Sequence, residues 1–153
     1  MKLAESLILR SDCQKRILQL EERLRRSAKV QEGETPPEKP DELLKELDEA
    51  LSVLLDLIKK INKTNSIIEI EEGKSLADAL AERDIISQKR HVLDGLVFAA
   101  TIKQERYSKS EVKFFSTVDI SQIQKQIDEL SKKYRELDTK IQEKNWTVEL
   151  IEN

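Results

Sequence analysis

Three of the six aromatic residues in the chain, Tyr107, Phe114 and Phe115, fall in the segment Arg106 to Phe115. The same segment carries Arg106, Lys109, Lys113, Ser108 and Ser110. Guanidinium and ammonium groups beside hydroxyls can hold a phosphate or a carboxylate, and a tyrosine ring can stack on a base. Arg106, Tyr107, Lys109 and Lys113 are therefore the candidate ligand-binding residues, and a small anion or a nucleotide is the ligand they suit. The competing reading is structural: Val112 and Phe114 plug the end of a helical bundle while the charges stay in water.

Other chemistry is thinner. Glu46 and Glu49 form a Glu-x-x-Glu pair, half of the four-carboxylate set with which all-helical nucleotide hydrolases hold Mg²⁺. The second half is missing, because the third residue after Glu82 is Ile85. His91 is the only histidine and Cys13 the only cysteine, so neither a His-rich metal set nor an internal disulfide can form. We expect no catalytic residues, no metal and no cofactor.

The elements that must position any such site announce themselves by spacing. Ile120, Ile123, Ile127, Leu130, Tyr134, Leu137 and Ile141 alternate three and four residues apart. That places all seven on one seam of a helix, as in coiled coils and bundles, and marks them as candidate oligomerisation residues. Helix 1 carries Leu3, Leu7, Cys13, Ile17, Leu20 and Leu24 on its seam. Helix 2 carries Leu44, Leu47, Leu51, Leu54, Ile58 and Ile61, with Asn65 extending the register and Leu43, Ala50, Leu55 and Leu57 widening the face. Helix 3 has Arg83 and Arg90 in its seam, where polar residues line a site or fix register. Its second half, Val92 to Ala100, is apolar nearly all round and is expected to be enclosed, with Gly95 and Ala99 permitting close approach of another helix. Pro36, Pro37, Pro40 and Gly33 interrupt the chain in the loop 31–40. Ile68 and Ile70 alternate with Glu69 and Glu71 before Gly73, the pattern of a short strand and turn. Asp119, with Gln122 three residues on, reads as a helix cap.

Composition agrees. Charged residues make up 37% of the 153, and Ala, Glu, Lys, Leu and Arg together are about half of them, the signature of long helices. The formal net charge is −3 with both signs interspersed, which argues against bulk nucleic acid or an anionic membrane as the main partner. The apolar stretches are too short for a secretory signal or a membrane span, so a cytoplasmic protein is expected. A chain this charged has a thin core and is expected to bury more apolar surface by forming a homo-oligomer.

Met1-Lys2-Leu3-Ala4-Glu5, Ala28 to Glu34, Ile61 to Asn65, Arg106 to Lys113 and Ile141 to Trp146 together resemble a small family of bacterial proteins often labelled septicolysin. The resemblance spans essentially the whole chain, and its label implies a cytolysin. The residues themselves supply no strongly apolar, aromatic membrane face opposed to a cationic one.

The sequence thus predicts an all-α fold. Four long antiparallel helices, at about 2–30, 41–65, 76–102 and 120–145, form a bundle or two packed coiled-coil hairpins. They make one helical domain over 1–153, with short extended segments near the helix ends. The leading functional expectation is a homo-oligomeric assembly or interaction protein without a catalytic site. An anion- or nucleotide-binding protein using the 106–115 segment comes second, and a Mg²⁺-dependent nucleotide hydrolase third.

Overall fold

The structure is a computed structural model that describes residues 1–101 and 112–153. It is mostly helical: α1 (Leu3–Arg26), α2 (Pro40–Ile67), α3 (Leu76–Ala100) and α4 (Ile120–Thr147), with a small antiparallel hairpin of β1 (Glu69–Glu71) and β2 (Lys74–Ser75). Gly73 turns that hairpin with φ +79°, a conformation glycine adopts without a Cβ penalty. The described residues divide into two compact units, Met1–Ser75 with Gln142–Asn153, and Leu76–Ile141.

In the first unit α1 and α2 pack antiparallel. Leu20, Leu43 and Ala50 form a buried cluster, with Cys13, Ile17, Leu24 and Leu47 packed against it. The Cys13 thiol donates to the Ala50 carbonyl at 3.1 Å, so it behaves as a small core residue. The expected seam of α1 is the one that packs. The seam of α2 keeps the expected Leu47, Leu54 and Ile61 but shifts at the alternate positions: Leu43, Ala50, Leu57 and Thr64 are buried, whereas Leu44 and Leu51 are exposed. A leucine-rich helix offers two adjacent stripes, and its partner selects one.

Helix α1 stops at Arg26, short of the expected Val30. Ser27 is buried, and its N–H is shared between the carbonyls of Arg23 (3.2 Å) and Leu24 (3.1 Å), which tightens the last turn. The proline-bearing loop is clamped back by an ion pair. Arg23 donates through Nε and Nη2 to the two oxygens of Glu38 at 2.9 and 2.5 Å, and its Nη1 lies 3.7 Å from Glu46 on α2. The bidentate Arg23 contact holds the Glu38 carboxyl below the usual carboxylate range. A lowered folded-state value means this clamp is fully present above the unfolded pKa of about 4.3 and is lost as pH falls through the folded value. Glu38→Gln is therefore expected to flatten the acid limb of the thermal-stability profile relative to wild type, as melting scans between about pH 2.5 and 7 would show.

The two ends of the chain lie together in this unit. Lys2 and Glu149 form an antiparallel bridge, with Leu3 N–H on the Val148 carbonyl (3.0 Å) and Leu150 N–H on the Met1 carbonyl (2.8 Å). Lys2 Nζ pairs with Glu149 at 2.5 Å. Beyond the bridge, Ile151 N–H donates to Thr64 Oγ1 at 2.9 Å, and Thr64, fully buried, donates in turn to the Lys60 carbonyl. Trp146 and Thr147 complete the last turn of α4, and only the residues from Val148 onward form an extended segment pinned between the start of α1 and the end of α2.

In the second unit α3 and α4 also run antiparallel. Arg83 Nη1 donates to Asp138 Oδ1 at 2.8 Å, and the Arg90 guanidinium lies 5.5 Å from the Tyr134 ring centroid. Both arginines sit where a hydrophobic residue is usual, and each meets a chemically matched group on α4. The heptad positions of α3 (Leu76, Ala79, Arg83, Ile86, Arg90, Leu93, Val97, Ala100) are buried or half-buried. The seven α4 seam residues are likewise buried or half-buried, Ile127 and Ile141 most of all. Asp119 Oδ1 accepts the Gln122 N–H at 3.1 Å and caps α4 as expected.

Candidate interaction surface

The far side of α3 is uncovered. Opposite its inner seam, residues 78, 81, 85, 88, 92, 95 and 99 keep heptad spacing and line a second stripe, of which Ala81, Ile85, Val92 and Ala99 are apolar and exposed. Ile85 is 63% exposed and Val92 62%. The expectation that Val92 to Ala100 is enclosed is therefore corrected: Leu93, Val97 and Ala100 are half-buried, and the rest of that segment faces solvent. Phe98 is 84% exposed at the edge of the stripe.

At the C-terminal end of the helix the stripe widens into an open cleft of about 290 Å³ lined by Leu96, Ala99, Ala100, Phe114, Phe115 and Val118, among others. Phe114 and Phe115 are 72% and 79% exposed, so the reading in which Phe114 and Val112 plug a bundle end is also corrected. They flank the cleft with their rings largely in water. Three open phenylalanine side chains at ~200 Å² each already approach the largest apolar patch of an ordinary monomer.

Lys113 lies exposed beside this cleft. Arg106, Tyr107 and Lys109, the other candidate ligand residues, lie outside the described residues. Glu46 is engaged by Arg23 while Glu49 is exposed. Among the described residues no three His, Cys, Asp or Glu side chains converge on a metal-sized site. His91 is exposed on α3 in an open polar groove with Asp84, Ser87, Gln88, Arg90 and Asp94. None of the described helices is long and apolar enough to cross a membrane. The outer stripe of α3 was legible in part through Gly95 and Ala99; Ile85, Phe98 and Phe115 gain their meaning only once α4 has claimed the other side.

These features define a mostly helical protein of two antiparallel helix pairs, whose most developed surface is apolar. Comparison with known proteins goes one step further: the chain belongs to the family of unknown function DUF6847, which matches residues 10–150. It is similar, at 45% identity and a TM-score of 0.92, to a crystal structure described as a functionally unknown conserved protein from Corynebacterium diphtheriae, with 99% of each chain covered. No curated protein matches it. The resemblance to septicolysin is overturned by these matches, since both the family and the solved neighbour are of unknown function. The quoted segments are short and rich in the residues of any long polar helix, which is why they misled.

Proposed function

We propose that this protein is a non-enzymatic, homo-oligomeric assembly or interaction protein, working as one helical domain over 1–153. The observation that carries this reading is the uncovered apolar face of α3 with Phe98, Phe114 and Phe115. Leaving such a face in water is costly, and apolar patches of this extent on soluble proteins mark interaction sites. The seam from Ile120 to Ile141 supports the assembly by holding α3 in its antiparallel pair, so that the outer stripe is presented on a rigid helix.

Native mass spectrometry of the full chain tests the proposal. The expected result is a defined oligomer of clean subunit mass at micromolar protein, without added ligand. A monomer that persists across that concentration range would refute it. Because the proposed interface is largely apolar, moderate salt is expected to leave the oligomer intact.

A further inference from the structure

We propose that the outer stripe of α3 is a two-fold interface onto which the α3 of a second copy of this chain packs antiparallel; this rests on the assembly reading above and assigns it a surface. Three observations lead there.

The first is Gly95. It lies inside α3, where glycine is disfavoured by about 1 kcal/mol relative to alanine. A Cβ built on it would meet nothing within 4 Å. The chain's own packing therefore does not require a glycine there. With Ala81 and Ala99 on the same stripe, Gly95 lets a second helix come close, and the small residues do not by themselves define the site.

The second is the charge pattern along the edges of the stripe. Glu82 and Lys89 lie along one edge, Asp84 and His91 along the other. In an antiparallel pair each edge faces its own copy. One offset then satisfies both edges: with Glu82 beside the partner's Lys89, Asp84 stands beside the partner's His91. The same offset sets Ala81 opposite the partner's Val92, and Phe98 beside the partner's Ala77. Symmetry doubles every one of these contacts. A parallel pairing in register sets only Asp84 beside the partner's Lys89, half as many complementary contacts as the antiparallel one.

The third is area. The three open phenylalanines together with Ile85, Val92, Leu96 and the alanines offer on the order of 800 Å², what a standard interface takes from each partner. The cleft between Leu96 and Phe115 receives the first turn of the partner's α3. A face of this extent, with self-complementary edges, fits a second copy better than an unrelated helix.

Charge reversal in the full-length protein, read by native mass spectrometry and light scattering, tests the pairing. Glu82→Lys and Lys89→Glu are each expected to weaken the dimer on the order of tenfold, because attraction turns to repulsion at two symmetric places. The double exchange Glu82→Lys with Lys89→Glu is expected to restore it. Val92→Glu, at an exposed position, is expected to abolish the dimer and leave the melting temperature of the monomer unchanged. If the wild type assembles but all three single variants assemble equally well, the interface lies elsewhere and this inference falls while the assembly reading stands. Failure of the double exchange to restore the dimer would overturn the antiparallel pairing. A monomeric wild type would remove both.

Discussion

Leu20→Ala is expected to lower the stability of the protein by about 2–5 kcal/mol. Leu20 is completely buried between α1 and α2, in contact distance of a cluster that contains only Leu43 and Ala50 as further buried members. Removing three carbons from so small a core forfeits transfer energy and leaves a cavity that rigid helices cannot close. Against a total stability of about 5–15 kcal/mol, that is a large fraction. At about 2–4 °C per kcal/mol for a chain of this size, the melting temperature falls by roughly 4–20 °C. Leu18, two residues earlier on the same helix and 64% exposed, is the internal control: Leu18→Ala is expected to change stability by no more than about 0.5 kcal/mol. Urea unfolding of the two variants side by side decides it. Equal losses would mean that the outer side of α1 is packed as well, and that the cluster around Leu20 is not the core of the first unit.

That contrast between Leu18 and Leu20 also shows what could be read from the sequence. The elements were legible to within a few residues, α1 being the one that stops four short, because most of their limits are set locally. Pro40 opens α2, Asp119 caps α4, and Gly73 turns the hairpin between α2 and α3. The seams of α1 and α4 were legible because each helix has a single apolar stripe, and that stripe has nowhere else to go. Helix α2 has two overlapping stripes. Its sequence allows Leu44 and Leu51 to pack as readily as Leu43 and Ala50, and only contact with α1 separates them. Arg83 and Arg90 show the same limit from the polar side. Their seam positions were plain, but whether they line a site or lock a register depended on Asp138 and Tyr134, each more than forty residues away in the chain.

The candidate surface was less legible still. Aromatic density drew attention to the segment before α4, and its interpretation as a ligand site rested on the neighbouring cations. The structure adds Phe98 and the outer stripe of α3 to Phe114 and Phe115, which moves the emphasis from charge to apolar area. A run that is apolar on all sides, such as Val92 to Ala100, says that two faces need covering. It does not say that the same chain covers both. Gly95 is the one residue whose presence hinted at an external neighbour, and that hint became an argument only when its surroundings proved empty.

Ile127→Glu is expected to have a comparably large effect, and it reaches the function as well as the fold. Ile127 is among the most buried residues of the α4 seam, flanked by half-buried Ile123 and Leu130. Among the described residues no cation of the seam stands ready to meet a carboxylate there; the nearest arginine in register, Arg90, already lies over Tyr134. The variant must bury an unpaired charge or pull α4 away from α3, and either course costs roughly 3–5 kcal/mol. Gln126→Glu places the same charge one residue away on an exposed position and is expected to be nearly silent. Thermal melting followed by circular dichroism reads the first consequence, and native mass spectrometry the second. Ile127→Glu is expected to lose both stability and assembly, whereas Val92→Glu loses assembly alone. That difference would separate the two sides of one helix pair: a seam on α4 that holds α3 in place, and an outer stripe of α3 on which the proposed second copy packs. Should Ile127→Glu melt like the wild type, the seam is not what fixes α3, and the rigid presentation on which the assembly depends would have to come from another contact.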